Sequence, residues 1–169
     1  MDAGDDRLDI FLHPGEFCFA GEDTRIRTLL GSCVSFTAWH RQRRLGAMCH
    51  FVLPTRRTPR AQELDGRYGD EAVLWFRNEA VNNGTRPEEY EIKVFGGGEM
   101  FGGAANQRRT IGGQNSRHIL RLLDQLGHDV VAHHVGGTGH RNIIFDIASG
   151  DVWVRHVPIE RGSRQEKAA

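Results

Sequence analysis

The fold is decided by two stretches of sequence, Thr28-Leu29-Leu30-Gly31-Ser32-Cys33-Val34-Ser35-Phe36 and Gly46-Ala47-Met48-Cys49-His50-Phe51-Val52-Leu53-Pro54. Between them lies a polar, basic break, His40-Arg41-Gln42-Arg43-Arg44. Two runs rich in β-branched and aromatic residues on either side of such a break are typical of a β-hairpin. We therefore predict that the two stretches pair as neighbouring antiparallel strands.

Side chains alternate along a strand, so the hairpin has two faces that can be described separately. One face is almost wholly apolar and is predicted to be buried: Val34, Phe36, Ala38, Ala47, Cys49, Phe51 and Leu53. The other face is mixed and is predicted to be polar: Cys33, Ser35, Thr37, Trp39, Met48, His50 and Val52. A turn centred between Arg41 and Gln42 places Cys33 opposite His50, and a turn one residue later makes them diagonal neighbours. Their Cβ atoms are then roughly 4.5 to 8 Å apart.

A thiol beside an imidazole suggests nucleophilic catalysis. An imidazole that forms an ion pair with a thiol raises the thiolate fraction and can later protonate a leaving group. Gly31 and Ser32 precede the thiol, and their backbone N–H groups, with that of Cys33, could bind an oxyanion. The predicted chemistry is acyl transfer through a thioester. A third group should orient the imidazole, and Thr28, Ser35 and Thr37 are all candidates.

Length and composition predict a single cytoplasmic domain. The chain has 169 residues, 22 basic and 22 acidic side chains, and three cysteines at spacings that match no disulfide framework. Balanced charge gives no indication of nucleic-acid binding, and neither a signal peptide nor a membrane span is predicted. We expect residues 1–7 to be disordered, residues 8–158 to form the domain and residues 159–169 to be a polar tail.

The rest of the chain predicts an α/β (α+β-like) fold. A helical period begins near Asp70 and stops at Asn83-Gly84, with Ala72, Val73, Phe76, Ala80 and Val81 on its apolar face. A second helix is expected to be capped by Asn115 or Ser116 and to end at Gly127. Short alternating runs before and after these helices predict further strands. The expected architecture is a mixed, largely antiparallel sheet with two helices packed against it.

Three other segments could carry a function. Residues 55–67 form a long polar loop with Arg56, Arg57 and Arg60, which could act as a lid, bind an acidic partner or simply be solvated. The glycine-rich run at residues 96–103 lacks the motifs of phosphate loops, so a close-packed loop near the site is favoured. His133 and His134 point oppositely in a strand, so at most one could join His140, and we predict neither a metal nor a cofactor.

An ordered series of motifs resembles the chemoreceptor glutamine deamidases, the CheD family of bacterial chemotaxis. The series covers roughly residues 8–158 and adds these runs to the two opening stretches: Arg67-Tyr68-Gly69-Asp70-Glu71-Ala72, Lys93-Val94-Phe95-Gly96-Gly97-Gly98-Glu99-Met100-Phe101, Ile111-Gly112-Gly113-Gln114-Asn115, and Gly136-Gly137 through Arg141 to Phe145-Asp146. Such resemblance implies hydrolysis of receptor glutamine amides to glutamates with release of ammonia. The resemblance also suggests glutamate methylesterase activity.

The resemblance further implies roles for individual residues and partners. It makes Cys33 the nucleophile and His50 its histidine, and it requires a threonine shortly before the cysteine. A gapless match puts Arg27 at that position, and Thr28 is the hydroxyl residue beside it. The implied partners are methyl-accepting chemotaxis receptors and a CheC-type phosphatase. Two alternatives are a catalytically weak adaptor that binds receptors or such a phosphatase through the same groove and residues 56–60, and a thiol redox sensor at Cys33.

Overall fold

The computed structural model describes residues 5–58, 63–101 and 110–160. Within these ranges the chain forms nine strands, two α-helices and a short 3₁₀ turn at Pro87–Glu89. The elements, in chain order, are β1 Leu8–Leu12, β2 Phe17–Ala20, β3 Thr24–Leu30, β4 Val34–His40, β5 Leu45–Cys49, α1 Gly69–Asn82, β6 Glu91–Gly96, α2 Ile111–Gln125, β7 Val130–Val135, β8 His140–Asp146 and β9 Val152–Val157.

The strands are divided between two sheets. The first sheet has four strands in the order β1-β3-β8-β9, and the second has five in the order β2-β5-β4-β6-β7. Only the β1/β3 and β6/β7 pairs are parallel among these strands, and the other neighbours are antiparallel. The predicted α/β class, with largely antiparallel sheet and two helices, is therefore confirmed.

The second sheet lies in the middle of the molecule, with a core on each side. One core joins this sheet to α1 and α2 and includes Phe36, Phe51 and Phe76. The other core joins it to the first sheet and includes Met48 and Phe145. The molecule is thus built in three layers, in which the two helices cover one face of the second sheet and the first sheet covers the other.

The predicted hairpin forms, but its second face was described wrongly. The apolar face is buried as predicted, except that Leu53 is exposed. The face with Ser35, Thr37 and Trp39 is buried too, since every residue of β4 is buried. A strand covered on both faces loses the alternation of apolar and polar residues by which a surface strand is recognised. The mixed face is therefore a second core rather than a polar surface.

The hairpin register follows the second of the two predicted turns. Ala38 pairs with Ala47, and the isolated bridge between Val34 and Phe51 continues the same register. Cys33 and His50 are therefore diagonal neighbours just beyond the ends of β4 and β5.

Helix α1 matches its prediction, whereas the predicted start of α2 was wrong. Helix α1 stops before Gly84, whose φ is +74°, although Val81 is exposed rather than packed. Helix α2 begins at Ile111, and its cap is Thr110, whose Oγ1 accepts a hydrogen bond from Gly113 N at 3.0 Å. Asn115 and Ser116 lie inside the helix. The prediction placed the helix start too late because Gly112 and Gly113 suggested a loop.

Gly112 is required for close packing rather than for a turn. A Cβ at this position would lie 2.5 Å from the carbonyl oxygen of Gly97 and 2.8 Å from that of Gly98. The first turn of α2 can therefore rest directly on the glycine-rich segment after β6, as expected for a close-packed loop.

Several other expectations concern the ends and loops of the chain. Within the range predicted to be disordered, Asp5 pairs with Arg25 and Arg7 with Asp146. Residues 1–4, 59–62 (with Arg60), 102–109 (with the end of the glycine-rich run) and 161–169 lie outside the described residues. No helix in the described ranges is long and apolar enough to cross a membrane.

Replacement of Gly112 by alanine should destabilise the protein despite the better helix propensity of alanine. The new Cβ meets backbone atoms, which cannot rotate away, so we expect a loss of about 1–3 kcal/mol in the free energy of unfolding. Denaturant unfolding measures this loss. Arg121→Ala on the exposed side of the same helix is the control and should stay within about 0.5 kcal/mol of the wild type. Equal stability of both variants would contradict the packing argument.

Candidate active site

Cys33 and His50 line one cavity of about 510 Å³. Its wall is mostly apolar and is formed by Phe11, Leu12, Pro14, Leu29, Gly31, Ser32, Cys33, His50, Met100 and His140. Residues 31–33 connect β3 of the first sheet to β4 of the second, and His50 directly follows β5. The cavity therefore lies where the two sheets meet.

The backbone of His50 is held by the turn between β1 and β2. Gly15 N donates to His50 O at 2.8 Å, and His50 N donates to Glu16 O at 3.1 Å. The imidazole is held separately, because its Nδ1 lies 2.7 Å from Thr28 Oγ1. Both residues are buried. Ring and backbone are therefore fixed before any substrate binds.

The Thr28 hydroxyl also sets the tautomer of the imidazole. Thr28 Oγ1 donates its single proton to the carbonyl oxygen of Leu12 at 2.8 Å. A hydroxyl that has donated its proton can only accept from the ring, so His50 carries its proton on Nδ1. The lone pair then remains on Nε2, which is the state that a base requires.

Of the three hydroxyl candidates, only Thr28 contacts the imidazole. Thr37 is buried in the sheet without a hydrogen bond to the ring, and Ser35 Oγ is buried with no hydrogen-bond partner among the described residues. Thr28 is part of β3 in the first sheet, and the strand pattern did not link this residue to His50. The family resemblance alone indicated a threonine shortly before Cys33. The shared face suggested Ser35 and Thr37 as well, and the packing of the two sheets brings Thr28 to the imidazole instead.

The loop that carries Cys33 is held through its carbonyl groups. Gly31 O accepts from Gly98 N and Cys33 O accepts from Gly97 N, each at 2.9 Å. Ser32 O accepts from the Asn115 side-chain amide at 3.1 Å. In a trans peptide the N–H points away from the preceding C=O, so the N–H groups of Ser32 and Cys33 point away from these partners.

The N–H groups of Gly31, Ser32 and Cys33 have no hydrogen-bond acceptor in the part of the chain that the structure describes. Buried backbone N–H groups in folded proteins are nearly always paired, and these three residues are half-buried and line the cavity. Successive backbone N–H groups of this kind can bind an anion.

Asn115 joins the two segments that carry Cys33 and His50. Its side chain is fully buried, and its Nδ2 donates both to Ser32 O and, at 2.8 Å, to Val52 O. Ser32 directly precedes Cys33, and Val52 follows His50 by two residues. The sequence indicated Asn115 only as a helix cap, because a contact between a helix and two distant loops leaves no local pattern.

Burial affects the charges of the thiol and the imidazole in opposite ways. It raises the pKa of the Cys33 thiol and lowers the pKa of His50 to about 4. The Leu12 carbonyl and the Glu16 carboxylate offset only part of the shift at His50. Both groups are therefore neutral near pH 7, and the expected thiolate–imidazolium ion pair is disfavoured.

The other candidate residues do not assemble into a metal site. His134 Nδ1 accepts from Arg141 Nε at 2.8 Å, while His140 lines the cavity with Cys33. Among residues 5–58, 63–101 and 110–160, no three His, Cys, Asp or Glu side chains come together as potential metal ligands. Cys49 is fully buried in the core, whereas Cys18 is half-buried against the core between the sheets, as Cys33 is. Cys33 lines the cavity, and Cys18 does not.

A cavity with a thiol, an imidazole fixed by a hydroxyl, and unpaired N–H donors is typical of thiol-dependent hydrolases. A family model described as CheD chemotactic sensory transduction matches residues 52–156. Similar proteins match almost the whole chain, including the residues that line the cavity. This chain belongs to the CheD family.

Three relatives illustrate the similarity. A protein of Pseudomonas savastanoi pv. phaseolicola named "Probable chemoreceptor glutamine deamidase CheD" is 49% identical over 161 residues, which are 94% of this chain and 90% of the relative. A CheD 3 protein of Dechloromonas aromatica with the same description is 46% identical and covers 86% of each chain. A CheD 1 protein of Anaeromyxobacter dehalogenans is 36% identical over 91% of this chain and 88% of its own.

The pH dependence of alkylation tests the neutral state of the site. Since burial raises the pKa of Cys33 and keeps His50 neutral, the rate of Cys33 alkylation by iodoacetamide should keep rising through about pH 9. Peptide mass spectrometry separates Cys33 from Cys18 and Cys49. A rate that is constant between about pH 5 and 8 would indicate an ion pair instead.

Asn115→Ala should lower the free energy of unfolding by about 1–3 kcal/mol, because it removes both amide hydrogen bonds and leaves two carbonyls without this donor. Ser116→Ala is the matched control, since Ser116 Oγ donates only to carbonyls of its own helix. Denaturant unfolding of the two variants gives the comparison. Equal losses would mean that Asn115 does not fasten the two loops.

Proposed function

We propose that this protein is a protein-glutamine deamidase, which hydrolyses selected glutamine side-chain amides of methyl-accepting chemotaxis receptors to glutamates and releases ammonia. The observation that carries this proposal is the hydrogen bond between Thr28 and His50 at the cavity that also holds Cys33. The names of the relatives supply the substrate, since each is called a chemoreceptor glutamine deamidase.

The first half-reaction transfers the acyl group to the thiol. Nε2 of His50 accepts the proton of the Cys33 thiol as the sulfur attacks the amide carbon, and the carbonyl π electrons move to oxygen. The N–H groups of Gly31, Ser32 and Cys33 stabilise this oxyanion. When the carbonyl re-forms, the C–N bond breaks, and the imidazolium gives its proton to the nitrogen. Ammonia leaves, and a thioester remains on Cys33.

The second half-reaction returns the enzyme to its starting state. His50 is neutral again and accepts a proton from water, whose oxygen attacks the thioester carbon. The second oxyanion uses the same N–H groups. Collapse breaks the C–S bond, and the sulfur takes back the proton from His50. The product is a glutamate side chain. The same steps, with methanol as leaving group, would hydrolyse a glutamate methyl ester.

Thr28 acts on the base rather than on the substrate. It accepts from Nδ1–H of His50, so it orients the ring and keeps Nε2 available. Unlike a carboxylate, a hydroxyl adds no negative charge that would stabilise an imidazolium before substrate binds. This agrees with the low pKa of His50.

The remaining parts of the proposal concern location and partners. Chemoreceptors are the protein substrates, and their signalling segments are in the cytoplasm, where we place this protein. A CheC-type phosphatase is proposed as a regulatory partner by the family resemblance. The adaptor alternative relied on arginines at residues 56–60, but Arg56 is held by Glu71 at 3.0 and 2.8 Å, and that contact leaves it less available to a partner.

Deamidation of a purified receptor cytoplasmic fragment tests the function. The wild type should release ammonia and produce the mass increase that accompanies replacement of an amide NH₂ by OH. Cys33→Ala should abolish both. Thr28→Val should lower kcat about 10- to 100-fold, and Thr28→Ser should restore most of it, because only the hydroxyl is needed.

The same assay separates an enzyme from an adaptor. If Cys33→Ala kept full activity, the proposed mechanism would be wrong. If neither the wild type nor any variant changed the receptor mass while the receptor fragment still bound to Cys33→Ala, the adaptor function would be supported instead.

A further inference from the structure

The outer face of the first sheet is exposed and carries large apolar side chains. No helix or strand in the described part of the chain covers it, since the helices pack on the second sheet. We call this surface the outer strip and define it by Phe11, Arg27, Leu29, Ile144, Trp153 and Arg155. Phe11, Leu29 and Trp153 are 45%, 46% and 52% exposed. Contiguous apolar surface of this kind often marks an interaction site.

The strand register shows that the outer strip leads to the active-site cavity. Phe11 pairs with Arg27, Arg27 with Ile144, and Ile144 with Trp153, so these four side chains form one row across all four strands. The next row runs from Leu29 through Asn142 to Arg155. Adjacent rows on one face of a sheet are close neighbours.

Two residues of the outer strip also line the cavity itself. Phe11 and Leu29 form part of the wall that contains Cys33 and His50. Phe11 also lines a second depression of about 370 Å³, together with Arg27, Trp153 and Arg155. The outer strip is therefore continuous with the rim of the active site.

The outer strip carries two arginines. Arg27 and Arg155 form no ion pair within the described residues, whereas Arg25 on the same strand as Arg27 pairs with Asp5 at 2.6 Å and with Asp9 at 3.5 Å. Two unpaired cations among apolar side chains favour a ligand that has both apolar groups and carboxylates.

The proposed reaction requires contact outside the cavity. A glutamine side chain is short, so the backbone that carries it must pass close to the cavity rim when the amide reaches Cys33. Neighbouring residues of the substrate then lie on the surface beside the rim. Specific protein contacts bury about 800 Å² on each partner, more than the mouth of one cavity supplies.

We infer that the outer strip docks the receptor segment that carries the target glutamine, with acidic residues of that segment against Arg27 and Arg155 and apolar ones against Phe11 and Trp153. This inference rests on the proposed deamidase function. It adds a binding surface whose residues take no part in the chemistry.

Charge reversal on the outer strip tests the inference. Arg155→Glu should raise the KM for a receptor cytoplasmic fragment about tenfold and leave kcat unchanged, because the residue contacts substrate but not the reacting atoms. Trp153→Ala should raise KM in the same way. Arg121→Glu, an exposed arginine on α2, makes the same charge change far from the strip and should leave KM unchanged. The rate of Cys33 alkylation confirms an intact site in each variant.

A binding measurement separates this inference from the proposed function. Calorimetric titration of Cys33→Ala with the fragment gives a Kd, and adding Arg155→Glu should weaken it by a similar factor. If the wild type deamidates the fragment and the outer-strip variants keep its KM and Kd, the inference is overturned and the function stands. If no deamidation occurs, the function fails, and the Kd still decides whether the strip binds receptors.

One other occupant of the outer strip is a second copy of this chain. Sedimentation velocity of the wild type and Trp153→Ala detects it. A dimer that Trp153→Ala dissociates, with KM unchanged, would overturn receptor docking in favour of self-association.

Discussion

Three consecutive backbone carbonyls, those of Gly31, Ser32 and Cys33, hold the site together. They accept hydrogen bonds from Gly98 N, the Asn115 side-chain amide and Gly97 N, and within each trans peptide unit the N–H group points away from the C=O group. The constraint explains the glycines of the neighbouring segment, because a Cβ on Gly96 would lie 2.4 Å from the Cys33 carbonyl oxygen. A bulky residue there would move Cys33 and the neighbouring N–H groups together.

This loop is also the point where the chain crosses from one sheet to the other. Thr28 belongs to the first sheet and His50 follows a strand of the second, so the hydrogen bond between them spans the two layers. The apolar contacts of Met48 with Phe145 and their neighbours hold those layers in place. The geometry of the base therefore depends on the core between the sheets, and the tautomer of His50 depends on it as well.

The sequence predicted much of this arrangement. The elements, the two helices, the pairing of the hairpin and the core position of Cys49 follow from short-range patterns of apolar residues, turn residues and glycines. The placement of Cys33 and His50 on one face follows from strand alternation. The start of α2 was wrong because Gly112 and Gly113 were interpreted as loop residues. In the structure Gly112 permits contact between a helix and a glycine-rich segment, which local propensity does not encode.

By itself, the sequence determined the family and the fold class and indicated Cys33 and His50 as the candidate reactive side chains, because motif order and periodicity are properties of the chain. The tertiary structure decided that Thr28, rather than Ser35 or Thr37, holds the imidazole, since that contact joins strands of different sheets. It also decided that the face of β4 around Ser35 is buried in a second core, although a polar surface was predicted. Burial removes water from both the thiol and the imidazole and favours their neutral forms. The depth of this burial depends on how the other elements pack, which the local sequence around Cys33 and His50 does not specify.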